Sequence, residues 1–228
     1  MKPYVLFAIF VGLTVLFFAA FLLFCGANFK KKNNRRVDFL VDFPFEAMEG
    51  DGPLMALSRT LLALFETASV AGSIYLIYLF PSFDYMIGIV VIYGAACLLK
   101  AGACLTMSFI PAYYFRQHLF AFMSYLLLFA FAEIMSMICF LNLQGFSTPL
   151  SLTFMIISGV LALAAIIAAF NPRLTNWTKL KSTMEKDGTI VTERPRPFPL
   201  AATEWVMFWF DLFGCLASIF GFFLIAIL

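Results

Sequence analysis

Three ionisable residues stand where a lipid-spanning segment should carry none. Arg59 and Glu66 sit in one apolar run, 57–80, and Lys100 sits in the next, 85–108. A charge at the centre of a spanning helix costs roughly 2.5–3.5 kcal/mol on insertion scales. It persists where it is paired, faces a wet cavity or snorkels to the surface. At about 1.5 Å per residue, Glu66 lies about 13 Å and Lys100 about 12 Å from the same end of the two runs. Antiparallel helices joined by a few residues are usually neighbours. Glu66 and Lys100 are therefore a candidate ion pair. Arg59, near the end of its run, can reach the headgroups.

The last run adds acids in register. Arg59, Glu66 and Ser73 are seven apart, which is one helix face, and Glu204, Asp211 and Ser218 in run 202–228 repeat that spacing. Asp211 is about 13 Å from the corresponding end, level with Glu66 and Lys100, while Glu204 is level with Arg59. The expectation is an intramembrane polar cluster of Glu66, Lys100 and Asp211, with Arg59 beside Glu204. Small residues around Lys100 (Gly94, Ala95, Ala96, Ala101, Gly102, Ala103) allow close helix approach. Glu133, in run 119–141, has no base at its level. It is expected to be isolated, hydrogen-bonded inside the bundle about 12 Å from the opposite end.

Other chemistries find little support. His118 is the single histidine and adjoins Arg116 at a run boundary, which predicts a solvated interface. One histidine and no Cys pair at ligand spacing exclude His-bearing zinc motifs. All five Cys (Cys25, Cys97, Cys104, Cys139, Cys215) fall in or beside apolar runs, the placement of small buried hydrophobes rather than a disulfide framework. Ser158 precedes Gly159 without a base at its level, so a serine nucleophile is weakly supported. No catalytic set, cofactor or metal is expected, and an enzyme is the least favoured reading.

The elements that carry these residues follow from composition. Of 228 residues, 63% are hydrophobic and 12% charged, against about 25% charged in a soluble domain. Six apolar runs, at about 4–25, 57–80, 85–108, 119–141, 149–170 and 202–228, reach the roughly 20 residues that cross the hydrocarbon core. The predicted fold is all-α, a single domain of six transmembrane helices with short loops. A signal peptide is the rival reading of the first run, but an h-region is about 7–15 residues long.

Charge sets the orientation. Of 15 Lys and Arg, 12 fall in the loops 28–53, 111–118 and 171–200, which the positive-inside rule places in the cytoplasm. Both termini are then predicted to be non-cytoplasmic. Asn176-Trp177-Thr178 matches a glycosylation acceptor and is expected to stay unmodified on the inner side. Trp205, Phe208, Trp209 and Phe210 fit an aromatic belt near that face. The order of long loops and short turns differs between the halves, which weighs against an inverted repeat.

Two loops hold local signals. Val37, Phe39, Val41, Phe43 and Phe45 alternate, while Asp38, Asp42 and Glu46 are spaced by four, so strand and interfacial helix both remain open. Asp187-Gly188 between 179–186 and 189–194 suggests a two-residue hairpin turn. Arg194-Pro195-Arg196-Pro197-Phe198-Pro199 reads as stiff extended chain leading into the last run, or as a docking peptide for a partner.

Two functional classes follow. One is a non-enzymatic structural or accessory membrane component whose charged cluster serves folding and contacts. The other is a small proton- or ion-coupled carrier or channel using Glu66, Lys100, Asp211 and Glu133. The expected partners are the lipid bilayer and other membrane subunits; nothing points to nucleic acid.

Overall fold

The computed structural model describes residues 3–46, 52–80, 83–112, 114–143, 145–174, 181–184 and 190–227. Its order is α1 (Pro3–Asn33), α2 (Pro53–Tyr78), α3 (Phe83–Met107), α4 (Phe115–Asn142), α5 (Thr148–Ala169), β1 (Lys181–Met184), β2 (Ile190–Glu193) and α6 (Pro199–Ile227). Among the described residues the fold is all-α apart from one short hairpin, and six helices are long and apolar enough to cross a bilayer.

Most helices outrun their apolar stretches at the basic end. α1 continues to Asn33, so Lys30, Lys31 and Lys32 form its last turn rather than a loop. At 31 residues it is about 46 Å long, more than the roughly 30 Å of hydrocarbon. Hydropathy marks only the lipid-buried part, while backbone hydrogen bonding carries the helix into the headgroups. α2 and α6 begin at Pro53 and Pro199, where a missing N–H costs nothing and the fixed φ suits a first turn. α4 begins at Phe115 and so includes Arg116 and His118, which the sequence had suggested for a loop.

α6 packs against α1, α2, α4 and α5, and the remaining neighbours are α1–α2, α2–α3, α3–α4 and α4–α5. α1 is the most lipid-facing helix, with 17% of its apolar window buried. Phe18 and Phe21 anchor it: Phe18 stacks on Phe208 and is tilted against Phe65, and Phe21 is tilted against Phe208. Two apolar clusters fill the interior. One, around Phe65, Phe122, Phe129 and Phe208, lies toward the basic end. The other, around Tyr93, Phe140 and Phe222, lies toward the opposite end.

Residues 34–46 are neither strand nor interfacial helix but a run of turns. Phe43 and Phe45 turn into the bundle end, whereas Phe39 and Leu40 remain exposed, so the alternation does not define one face. The hairpin β1–β2 pairs Met184 with Ile190 and Lys181 with Glu193. That register centres on Asp187, one residue out of step with a two-residue Asp187-Gly188 turn, and residues 185–189 themselves lie outside the described residues. The Asn176 motif lies outside them as well.

Candidate functional site

Lys100 is the hub. Its Nζ lies 3.0 Å from Glu66 Oε2 on α2 and pairs with Asp211 Oδ1 on α6. The other Asp211 oxygen, Oδ2, accepts a hydrogen bond from the Tyr125 hydroxyl of α4 at 2.9 Å. Four helices therefore meet in one charged network. Lys100 is 4% exposed, Glu66 1% and Asp211 0%. In such surroundings an ion pair is held by mutual attraction that offsets a desolvation cost of several kcal/mol per ion. The aliphatic stem of Lys100 crosses apolar surface, and its ammonium lies 5.9 Å from the Phe129 ring centre.

Sulfur surrounds the same point. Cys215 Sγ is 3.7 Å from Lys100 Nζ. A thiol of Cys104 and one oxygen each of Glu66 and Asp211 lie within 4.8 Å of one another. That donor set could ligate a small cation, but the Lys100 ammonium already faces both carboxylates.

Glu133 does not stand apart. It lines a cavity of about 20 Å³ together with Lys100, Ser69, Ser73, Tyr93 and Ser218, room for about one water molecule. Ser158 is a hydrogen-bonding neighbour of its carboxyl, and Ser158 Oγ donates to Ser136 Oγ, which is 3.1 Å from Ser218 Oγ. Helix depth counted along α4 missed this, because it cannot say which face turns toward Lys100. The fit depends on Gly214 of α6: a Cβ there would collide with Glu133 Oε1.

Arg59 and Glu204 are not brought together as expected. Arg59 donates from Nε and Nη2 to the Ser108 carbonyl at 3.3 and 3.2 Å, and its guanidinium covers the Phe109 ring. It thereby caps the end of α3, whose last carbonyls lack helical partners. Glu204 instead meets His118, Oε1 to Nε2, at 2.8 Å.

His118 is fully buried, not solvated. Its Nδ1 faces the Ile110 carbonyl at 3.1 Å. A carbonyl can only accept, so Nδ1 carries a hydrogen and a single proton is shared between Nε2 and Glu204 Oε1. The pair is net neutral wherever that proton sits. Phe43, from the 34–46 turns, closes the site with its ring edge-on to the imidazole at 5.1 Å.

A third polar assembly was not foreseen. Asp38, Asp42 and Glu46 each take an arginine. Arg35 grips Asp42 with two hydrogen bonds at 2.6 and 2.7 Å. Arg194 grips Glu46 at 2.8 and 3.0 Å, and Arg196 Nε lies 3.3 Å from Asp38. The hydrogen bond to Asp42 raises the Arg35 pKa further, so its charge is permanent. Phe198 N–H donates to Leu40 O at 2.7 Å, and Trp205 Nε1–H donates to Asp42 O at 2.8 Å. The proline-rich segment thus docks on this chain's own 34–46 turns. Acids spaced by four facing Arg194-Pro195-Arg196 were the available signal.

No protein-family model, curated protein or solved structure matches this chain.

Proposed function

We propose that this chain is a non-enzymatic multi-pass membrane component, structural or accessory, in which a buried charge network sets the positions of α2, α3, α4 and α6. The observation that carries this reading is the enclosure of Lys100. Its ammonium is engaged by two carboxylates and a thiol, and the cavity beside it holds about one water. A polar group with one geometry available gives register to helices that lipid alone would let slide. The basic loops would face the cytoplasm and the termini the opposite side.

A second reading, an ion- or proton-coupled carrier, draws support from one feature. Glu133 and Lys100 share that cavity, and the linked serines 158, 136 and 218 prolong it with hydroxyls. Lys100→Met separates the readings when the purified protein is assayed both for thermal stability in mild detergent and for proton or sodium flux in proteoliposomes. The structural reading expects a large loss of stability and no flux in either protein. Flux in the wild type that disappears in a folded Lys100→Met variant would establish the carrier instead.

A further inference from the structure

Two sets of cations at the basic end contrast. Arg35, Arg194 and Arg196 are spent on Asp42, Glu46 and Asp38. Lys30 and Arg36 are exposed, and no carboxylate is paired with them among the described residues. Both line one groove of about 310 Å³ between α1, the 34–46 turns and α6. Its other walls are apolar and aromatic, including Leu22, Val37, Trp205 and Trp209.

We propose that this groove is a binding site for one anionic phospholipid, with the headgroup phosphate between Lys30 and Arg36 and an acyl chain along Leu22 and Trp209. Charge complementarity identifies the occupant: two uncompensated cations sit at the rim of an apolar channel, the arrangement an acidic headgroup on a hydrocarbon chain would fill. Continuity with lipid favours the same occupant, since α1 is the helix least buried by protein. The indole of Trp205 is fixed by its bond to Asp42 O, so that wall is preformed. Trp209 is 47% exposed and offers its ring to the chain. Each basic residue near a membrane surface contributes about 1 kcal/mol toward anionic lipid, so two correspond to about a 30-fold preference over a zwitterionic lipid.

The groove's own tryptophans report occupancy. In a Trp177→Phe background, Trp205 and Trp209 are the emitters, since the sequence has three Trp. The protein is reconstituted in phosphatidylcholine vesicles carrying a small fraction of either brominated phosphatidylglycerol or brominated phosphatidylcholine. The expected result is quenching at a roughly 30-fold lower mole fraction of the anionic lipid. Lys30→Gln with Arg36→Gln should abolish the difference. Gly26→Leu is the second variant: a Cβ at Gly26, on the groove wall, meets nothing within 4 Å, so a side chain grown from it occupies groove space. It should reduce quenching by the anionic lipid to the level of the zwitterionic one, with the melting temperature retained. Equal quenching by the two lipids in the parent protein would overturn the proposal. So would an anionic preference that survives either variant; one lost with the two cations but kept in Gly26→Leu would indicate only a diffuse surface potential.

Discussion

Lys100 on α3 reaches Asp211 on α6 across a gap that the two backbones do not close. No Cα of α3 comes within 8 Å of a Cα of α6 among the described residues, yet the side chains form an ion pair. The long lysine stem spans what helix packing leaves open. Glu66 on α2, which does pack against both helices, supplies the second carboxylate. The charge therefore links elements that apolar contact alone would leave free to shift.

Gly214 is required by Glu133, not by backbone conformation. Gly214→Ala should place a methyl group against Glu133 Oε1 and Leu161, destabilising the bundle by about 1–3 kcal/mol as overpacking does. Truncating the clashing carboxyl should relieve much of this. Thermal unfolding in detergent is expected to rank Gly214→Ala below the Gly214→Ala, Glu133→Ala double variant. If the order is reversed, Glu133 does not lie against α6.

The His118–Glu204 pair is buried at both ends, and Glu204 Oε2, the oxygen not facing His118, has no hydrogen-bond partner among the described residues. His118→Leu should cost more than a neutral hydrogen bond, about 1–3 kcal/mol, because it leaves a buried carboxyl unmatched. Replacing both residues by leucine removes the orphan and should recover part of the loss. Melting temperatures of the two singles and the double give the coupling. A simple sum of the single effects would contradict the contact.

Arg194 and Glu46 fasten one connecting segment to another, and each side chain is about one-fifth exposed. The expected stability effect of Arg194→Ala is modest, about 1 kcal/mol or less for a pair so close to solvent. The local effect should be larger. Limited proteolysis near the 34–46 turns should accelerate, since Arg194 also donates to the Val41 carbonyl. Exchange of the charges, Arg194→Glu with Glu46→Arg, should restore much of the protection, whereas unchanged cleavage in Arg194→Ala would contradict the docking.

Much of this architecture was legible in the residues. Six apolar runs are long enough to leave no other class, and depth along them alone puts Glu66, Lys100 and Asp211 at one level. Depth is a one-dimensional quantity, however. It does not give the rotation of a helix, so Glu133 read as isolated although it faces Lys100's cavity, and Arg59 was matched with Glu204 although it turns to the end of α3. His118 was misjudged for a related reason. Polar residues at a run boundary ordinarily meet water, but here the 34–46 turns fold over the bundle end and seal it under Phe43. Those turns in turn depend on pairs separated by about 150 residues of sequence, which local periodicity cannot show.

The most direct test of the central claim is a double-mutant cycle on Lys100→Met and Asp211→Asn, read as unfolding free energy in mixed detergent micelles with a parallel flux assay in proteoliposomes. Removing one member of a buried pair costs about 3–5 kcal/mol, and removing both costs far less than the sum. The expected result is strong coupling between the two positions and no flux at any corner of the cycle. Additive, near-zero effects on stability would contradict it, most plainly if the wild type alone carried a proton or sodium current.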